Sequence, residues 1–113
     1  VQVATDFAKS VSARLAGVDV PKLEDNEQTF ADLQARITTV LTFIEGLDVA
    51  LFEEAATREI VTQAGTPKEK RFTGASYLFN YGLPHFFFHT TTAYAILRHN
   101  GVEVGKKDYI GSY

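Results

Sequence analysis

From Leu83 to Gly101 the chain reads LPHFFFHTTTAYAILRHNG, and this stretch decides its fold. Its apolar residues recur at three- and four-residue steps, which is typical of a helix with one buried face. His85 and His89 are four residues apart, slightly more than one helical turn, so both imidazoles project from the same face. The three phenylalanines after His85 point in three directions. Other parts of the protein must therefore pack around nearly the whole circumference of the first turn of this helix.

Length and composition indicate a single domain, residues 1–113, large enough to bury one core. The net charge of -3 argues against nucleic acid or an anionic membrane surface as a main partner. The chain has no cysteine, which excludes disulfides and thiolate chemistry and fits a cytoplasmic protein. No apolar run approaches the roughly 20 residues that cross a bilayer. Neither a glycine-rich phosphate loop nor a nucleophile elbow is present.

The first half of the chain predicts two helices. Residues 1–16 form the first, which Gly17 ends, and its start at Val1 has no capping residue, so we expect a further segment before it. The second begins at a capping box formed by Asp25 and Gln28, with Asn26 as a competing cap. Gly46 ends it, and Arg36 is placed mostly on its polar side. Its apolar stripe consists of Phe30, Leu33, Ile37, Val40, Leu41, Ile44 and Leu47.

In the second half of the chain the hydrophobic periodicity changes twice, from helix to strand and back to helix. Residues 59–62 and 70–73 predict a small β-hairpin, and an irregular charged loop is the alternative. Thr73 caps a helix that starts near Gly74, and Pro84 is expected to kink or restart it because proline lacks an N–H. Gly101 ends the last helix, and residues 102–113 are predicted to form an extended tail.

The histidine pair is compatible with a divalent metal site, because two inward imidazoles one turn apart can chelate such an ion. A third ligand must come from another helix, and Asp6 and Gln2 are the polar candidates there. His99 cannot join the pair, since it lies ten residues beyond His89, roughly 15 Å along the helix axis. The alternative interpretation is that His85 and His89 are hydrogen-bonded residues of a buried core.

Three stretches resemble an uncharacterised family, a domain of unknown function grouped with the DinB-like and YfiT-like helical bundles. They are TDFAKS from Thr5, LAGVDVPK from Leu15 and YLFNYGLPHFFFHTTTAYAILRHNGVEVGKKDY from Tyr77. The resemblance implies an all-α, up-down four-helix bundle with a hairpin before the last helix and one helix before Val1. It also implies a zinc or nickel ion held by three histidines, of which His85 and His89 match two. Residues 1–16 contain no histidine that matches the third.

Two functions remain open at this point. The first is a non-catalytic bundle that binds a small molecule or a partner, with His85 and His89 in its core. The second is a metal-binding protein, with transferase or hydrolase as the candidate activity and His85, His89 and Asp6 as ligands. We expect a homodimer in either case, because the side of the last helix that carries Phe87 and Tyr94 needs cover.

Overall fold

The computed structural model describes residues 1–113. It is mostly helical and contains one small two-stranded antiparallel sheet, as the sequence predicts. The elements, in chain order, are α1 (Gln2–Ala16), α2 (Phe30–Glu45), a 3₁₀ turn (Val49–Phe52), β1 (Glu59–Thr62), β2 (Lys70–Thr73), α3 (Gly74–Ser76), a π-helical segment (Tyr77–Gly82), α4 (Leu83–His99) and α5 (Lys106–Ile110).

The centre of the molecule is α1, which packs against α2, α4 and the π-helical segment. Gly17 ends this helix in the left-handed conformation, at φ 74°, which glycine adopts without a steric cost. The buried core cluster joins α1 to the hairpin and to the segment before α4. Its members are Val11, Leu15, Ile60 and Tyr77, and Tyr77 is completely buried.

The hairpin covers one end of this core, and the alternative of an irregular charged loop was wrong. Its register pairs Ile60 with Phe72 and Thr62 with Lys70. Paired residues on antiparallel strands point to the same side of the sheet, so these four side chains share the inner face. Ile60 and Thr62 are buried, which confirms that this face is turned toward the helices.

Three details differ from the sequence-based expectations. The capping box of α2 is formed by Thr29 and Asp32, not by Asp25 and Gln28. Arg36 is buried rather than on the polar side of α2. The C-terminal segment is not wholly extended, because residues 106–110 form α5, and the Tyr109 hydroxyl lies 3.0 Å from that of Thr91.

An apolar groove runs along α1 between α2 and α4, which both pack on α1. It contains two adjoining cavities of about 300 and 230 Å³, which share Ala8 and Phe86 in their walls. Ile37 and Leu41 line it from α2, and Ala93 lines it from α4. We call this feature the three-helix groove. None of the helices combines the length and the apolar character needed to cross a membrane.

Candidate functional site

Four ring side chains stand in line on one side of the π-helical segment and α4. They are Tyr77, Tyr81, His85 and His89, each four residues after the one before. Successive ring centroids are 5.6, 4.5 and 6.5 Å apart. These distances lie in the range of contacting aromatic pairs. We call this set the aromatic row.

The π-helical segment reduces the rotation of the row about the helix axis. In an α-helix a step of four residues overshoots a full turn by about 40°, so three such steps would rotate a row by roughly 120°. Residues 77–82 are π-helical, and i→i+5 bonding puts more than four residues in a turn. A four-residue step in the π-helical segment rotates the side chain by less than a full turn, and this offsets part of the overshoot of the steps in α4. The π-helical segment runs directly into α4, because Gly82 and Leu83 are both in the right-handed helical conformation. The helix was predicted to kink or restart at Pro84; it instead changes from π- to α-helical just before this residue and does not stop.

Phe7 of α1 packs against the histidine end of the row. Its ring is stacked on His85, with centroids 4.6 Å apart and planes 9° apart, and it is 6.0 Å from His89. His85 is exposed and His89 is half-buried. The expectation that both are buried core histidines was therefore wrong. Their contacts are ring stacks on a partly open face, where a cavity of about 310 Å³ is bounded by Pro84, Phe88 and the two histidines.

The structure brings His85 and His89 together but does not bring the proposed third ligand to them. The carboxylate of Asp6 accepts hydrogen bonds from Lys9 and Arg36, both at 2.9 Å. The Gln2 amide donates to Glu27 at 2.7 Å. No group of three or more His, Cys, Asp or Glu side chains is arranged to hold a metal ion. The metal site remains a prediction that rests on the histidine pair.

His99 lies apart from the pair, as its position in the sequence predicts. It lines a separate open depression at the far end of α4, together with Thr91, Thr92, Ala95, Ile96 and Asn100. It therefore provides a matched control for substitutions of the paired histidines.

Sequence reasoning missed the most buried charged group, Arg36, whose side chain is 2% exposed. Its guanidinium donates to Glu27 at 2.9 Å, to Asp6 at 2.9 Å and to the Thr5 hydroxyl at 2.7 Å, and it lies 3.0 Å from Asp25. Burial lowers the pKa of Arg36, but the hydrogen bond to Glu27 and the nearby carboxylate charges outweigh this and raise it.

This cluster fastens the loop before α2 onto α1. Hydrogen bonds from Gln2 and Arg36 hold the pKa of the Glu27 carboxyl below its ordinary value of 4.5. A signal was available in the sequence, because Arg36 lies four residues before the buried Val40 and follows an acidic stretch, residues 24–27. A cation on the buried side of a helix needs such carboxylates as partners.

The fold and the site together define a small, mostly helical protein with a hairpin and a partly open aromatic and imidazole face. Comparison with known proteins places it more closely. The chain belongs to the family described as "Domain of unknown function (DUF1993)", which matches residues 1–110. This confirms the family resemblance read from the sequence. No match was found among curated proteins.

A solved structure also matches, that of a DinB family member protein from Shewanella denitrificans. It is 47% identical, superimposes with a TM-score of 0.90, and the match covers 99% of the present chain. The match covers 63% of the Shewanella chain, so the present chain spans less than two thirds of that protein's length. The likeness in fold extends over nearly the whole of the present chain.

Proposed function

We propose that this protein is a non-catalytic binding protein that holds a small planar molecule on the aromatic row. The observation that carries the proposal is the contact of Tyr81, His85 and His89 in one row, whose two histidines border an open cavity of about 310 Å³. Cavities of this size are at the lower end of those that take small molecules.

The chemistry of the row favours a flat ring system with hydrogen-bonding edges. Phe7 and Tyr81 contact His85 with their rings, which fixes the orientation of this imidazole. Such a preorganised aromatic surface binds another ring by stacking, at little cost in side-chain entropy. Imidazole nitrogen atoms both donate and accept hydrogen bonds, so the two histidines supply polar contacts at the edge of the same surface.

The proposal is tested by titrating the isotope-labelled protein with indole and benzimidazole and following amide chemical shifts. We expect saturable shifts centred on residues 85–89. His89→Ala should weaken binding about two- to tenfold, because one stacking contact is lost. His99→Ala is the matched control and should leave the affinity unchanged. Shifts confined to other parts of the chain, or equal effects of the two variants, would contradict the proposal.

Divalent metal binding is a second candidate, and the spacing of His85 and His89 favours it. Zinc or nickel would take its two protein ligands from this pair, with water or a bound molecule in the remaining positions. Asp6 would join only by leaving Lys9 and Arg36. Elemental analysis of protein purified without a His tag is expected to show stoichiometric metal that His89→Ala reduces. Metal-free protein whose melting temperature is unchanged by added zinc or nickel would exclude this candidate.

We also propose a four-helix bundle architecture, a homodimeric assembly and a cytoplasmic location. The three-helix groove supports an up-down four-helix bundle, because a further apolar helix would fit along α1 between α2 and α4. Phe87 is 50% exposed on α4, which supports a homodimer through the side of this helix that carries Phe87 and Tyr94. We propose a cytoplasmic location, with neither nucleic acid nor membrane as a partner. Light scattering on the protein as its source cell produces it measures the assembly. A monomer would refute the homodimer.

A further inference from the structure

We propose that a polar pocket between the β1–β2 turn and Tyr81 binds a small oxyanion, a carboxylate or a phosphate. The pocket has a volume of about 140 Å³ and is lined by Thr62, Gln63, Lys68, Lys70 and Tyr81. Four of these five residues come from the hairpin and its turn, and the fifth is a member of the aromatic row. We call it the hairpin pocket.

The hairpin register directs Lys70 into this pocket. Lys70 pairs with Thr62, whose side chain is on the inner face of the sheet and is buried. The Lys70 ammonium consequently lies over the ring of Tyr81, with Nζ 5.7 Å from the ring centroid. This is a cation–π contact, which positions the ammonium but leaves its charge unneutralised.

The neighbouring carboxylates have other partners. Arg71 points to the opposite face of the hairpin and forms ion pairs with Glu59 at 2.9 Å and with Glu69 at 3.0 Å. The second oxygen of Glu69 accepts a hydrogen bond from the backbone N–H of Gly65 at 2.7 Å. The ion pairs of the chain include neither Lys68 nor Lys70. The two lysines that line the hairpin pocket therefore have no ion-pair partner, in a protein whose net charge is -3.

The backbone at the edge of the pocket is strained. Gln63 has a φ of 51°, and it is the one residue other than glycine with a positive φ. A left-handed conformation at such a residue is sterically unfavourable and persists where the surrounding structure requires it. It turns the chain directly after Thr62, so Thr62 and Gln63 line the same space as the two lysines. Amide and hydroxyl donors together with ammonium groups are the ligands that oxyanions take in proteins.

The hairpin pocket adjoins the aromatic row through Tyr81, whose ring centroid is 4.5 Å from that of His85. A planar molecule with an acidic substituent would place its anionic group between the lysines and its ring along the row. This extension rests on the proposed function, whereas the anion site rests on the hairpin residues alone.

The test is a titration of the labelled protein with inorganic phosphate and, separately, with acetate, against sodium chloride at matched ionic strength. We expect saturable amide shifts in residues 62–70 with at least one of the two anions, and the comparison identifies which is preferred. Lys70→Gln should weaken binding about tenfold, because one charge-assisted contact is lost. Lys107→Gln removes an exposed lysine of α5 and should leave binding unchanged. Lys68→Gln removes the other lysine of the hairpin pocket and should also weaken anion binding.

Linear shifts that chloride reproduces, or equal losses in the Lys70 and Lys107 variants, would overturn the anion site. A final titration with benzoate separates it from the proposed function. If phosphate or acetate binds at the hairpin while benzoate, indole and benzimidazole all leave residues 85–89 unshifted, the anion site stands and the stacking site fails. If indole shifts residues 85–89 and no anion shifts residues 62–70, the stacking site stands and the anion site fails.

Discussion

The buried guanidinium of Arg36 holds three parts of the chain together, namely α1, the loop before α2, and α2. Helical periodicity placed it on the polar side of α2, and by local rules that is where an arginine belongs. The structure buries it because the loop before α2 folds over α1 and brings Asp25 and Glu27 to it, while α1 supplies Asp6. Such a partner set joins residues distant in the sequence, so a pattern read along one helix could not show it.

We expect Arg36→Met to lower the free energy of unfolding by about 3 kcal/mol or more. The methionine keeps much of the volume, but the substitution leaves Glu27, whose side chain is 8% exposed, without its counter-ion. Arg71→Met is the matched control. Arg71 is 60% exposed, so the loss of its ion pairs should cost less than about 1 kcal/mol. Urea denaturation measures both values, and similar losses would show that the Arg36 cluster is not a structural fastening.

The same cluster should make stability depend on pH in the acid range. The pKa of Glu27 is lowered in the folded protein by hydrogen bonds from Gln2 and Arg36, so between that value and about 4.5 the unfolded chain binds more protons. Stability from this group is therefore complete above about pH 4.5 and is lost as the pH falls through the folded pKa. Glu27→Gln should flatten the acid side of the melting-temperature profile, while Glu103→Gln, on the exposed segment after α4, should leave it unchanged. Parallel profiles for wild type and Glu27→Gln would contradict this.

At the scale of the element, the start of α2 shows how two local patterns compete. Asp25 with Gln28 and Thr29 with Asp32 have the same spacing, and the first was the sequence-based choice. The structure uses the second, in which the Thr29 hydroxyl accepts from the Asp32 N–H and the Asp32 carboxylate accepts from the Thr29 N–H, both at 3.0 Å. Asp25 is instead an ion-pair partner of Arg36 at 3.0 Å. A tertiary contact decided between two caps that local rules could not rank.

Thr29→Ala should lower the free energy of unfolding by about 1 kcal/mol, since it removes the side-chain cap of α2. Thr38→Ala makes the same chemical change inside the helix, where the Thr38 hydroxyl donates to the carbonyl of Gln34. Alanine has the higher helix propensity there, so this variant should be neutral or slightly more stable. Thermal denaturation monitored by circular dichroism compares the two, and an equal loss in both would rule out the cap as the cause.

The aromatic row shows what periodicity predicted about the site and what it missed. The spacing of His85 and His89 correctly placed them on one side of α4, because that depends on helix geometry alone. The addition of Tyr77 and Tyr81 to the same line depends on the π-helical segment, which has no simple sequence signature. The stack of Phe7 on the histidines depends on how α1 packs against α4. The shared face of His85 and His89 was therefore predictable from the sequence. The alignment with the two tyrosines and the stack of Phe7 were not.

For the whole molecule, several boundaries of the main elements followed from the sequence, although the start of α2 and the presence of α5 did not, and the way the elements pack did not. Gly17, Gly46 and Thr73 mark element ends where expected, since glycine and capping residues act through local backbone geometry. The placement of α2 and α4 on either side of α1 is a tertiary outcome, and it leaves the three-helix groove open. A continuous apolar groove of this kind favours association with another apolar surface.

We therefore expect the 113-residue chain by itself to self-associate in a concentration-dependent manner through this groove. Leu41 is 52% exposed on the wall of the groove, so Leu41→Asp should leave the fold intact and shift the equilibrium toward monomer. Val49→Asp introduces the same charge at a position that is 83% exposed outside the groove, and should associate as the wild type does. Sedimentation velocity over a range of concentrations measures the three proteins. A wild-type chain that is monomeric throughout, or a Leu41 variant that associates as strongly, would show that the groove does not drive assembly. In a longer chain whose own additional helix fills the groove, the same Leu41→Asp change should instead lower the melting temperature, because the aspartate would then be buried.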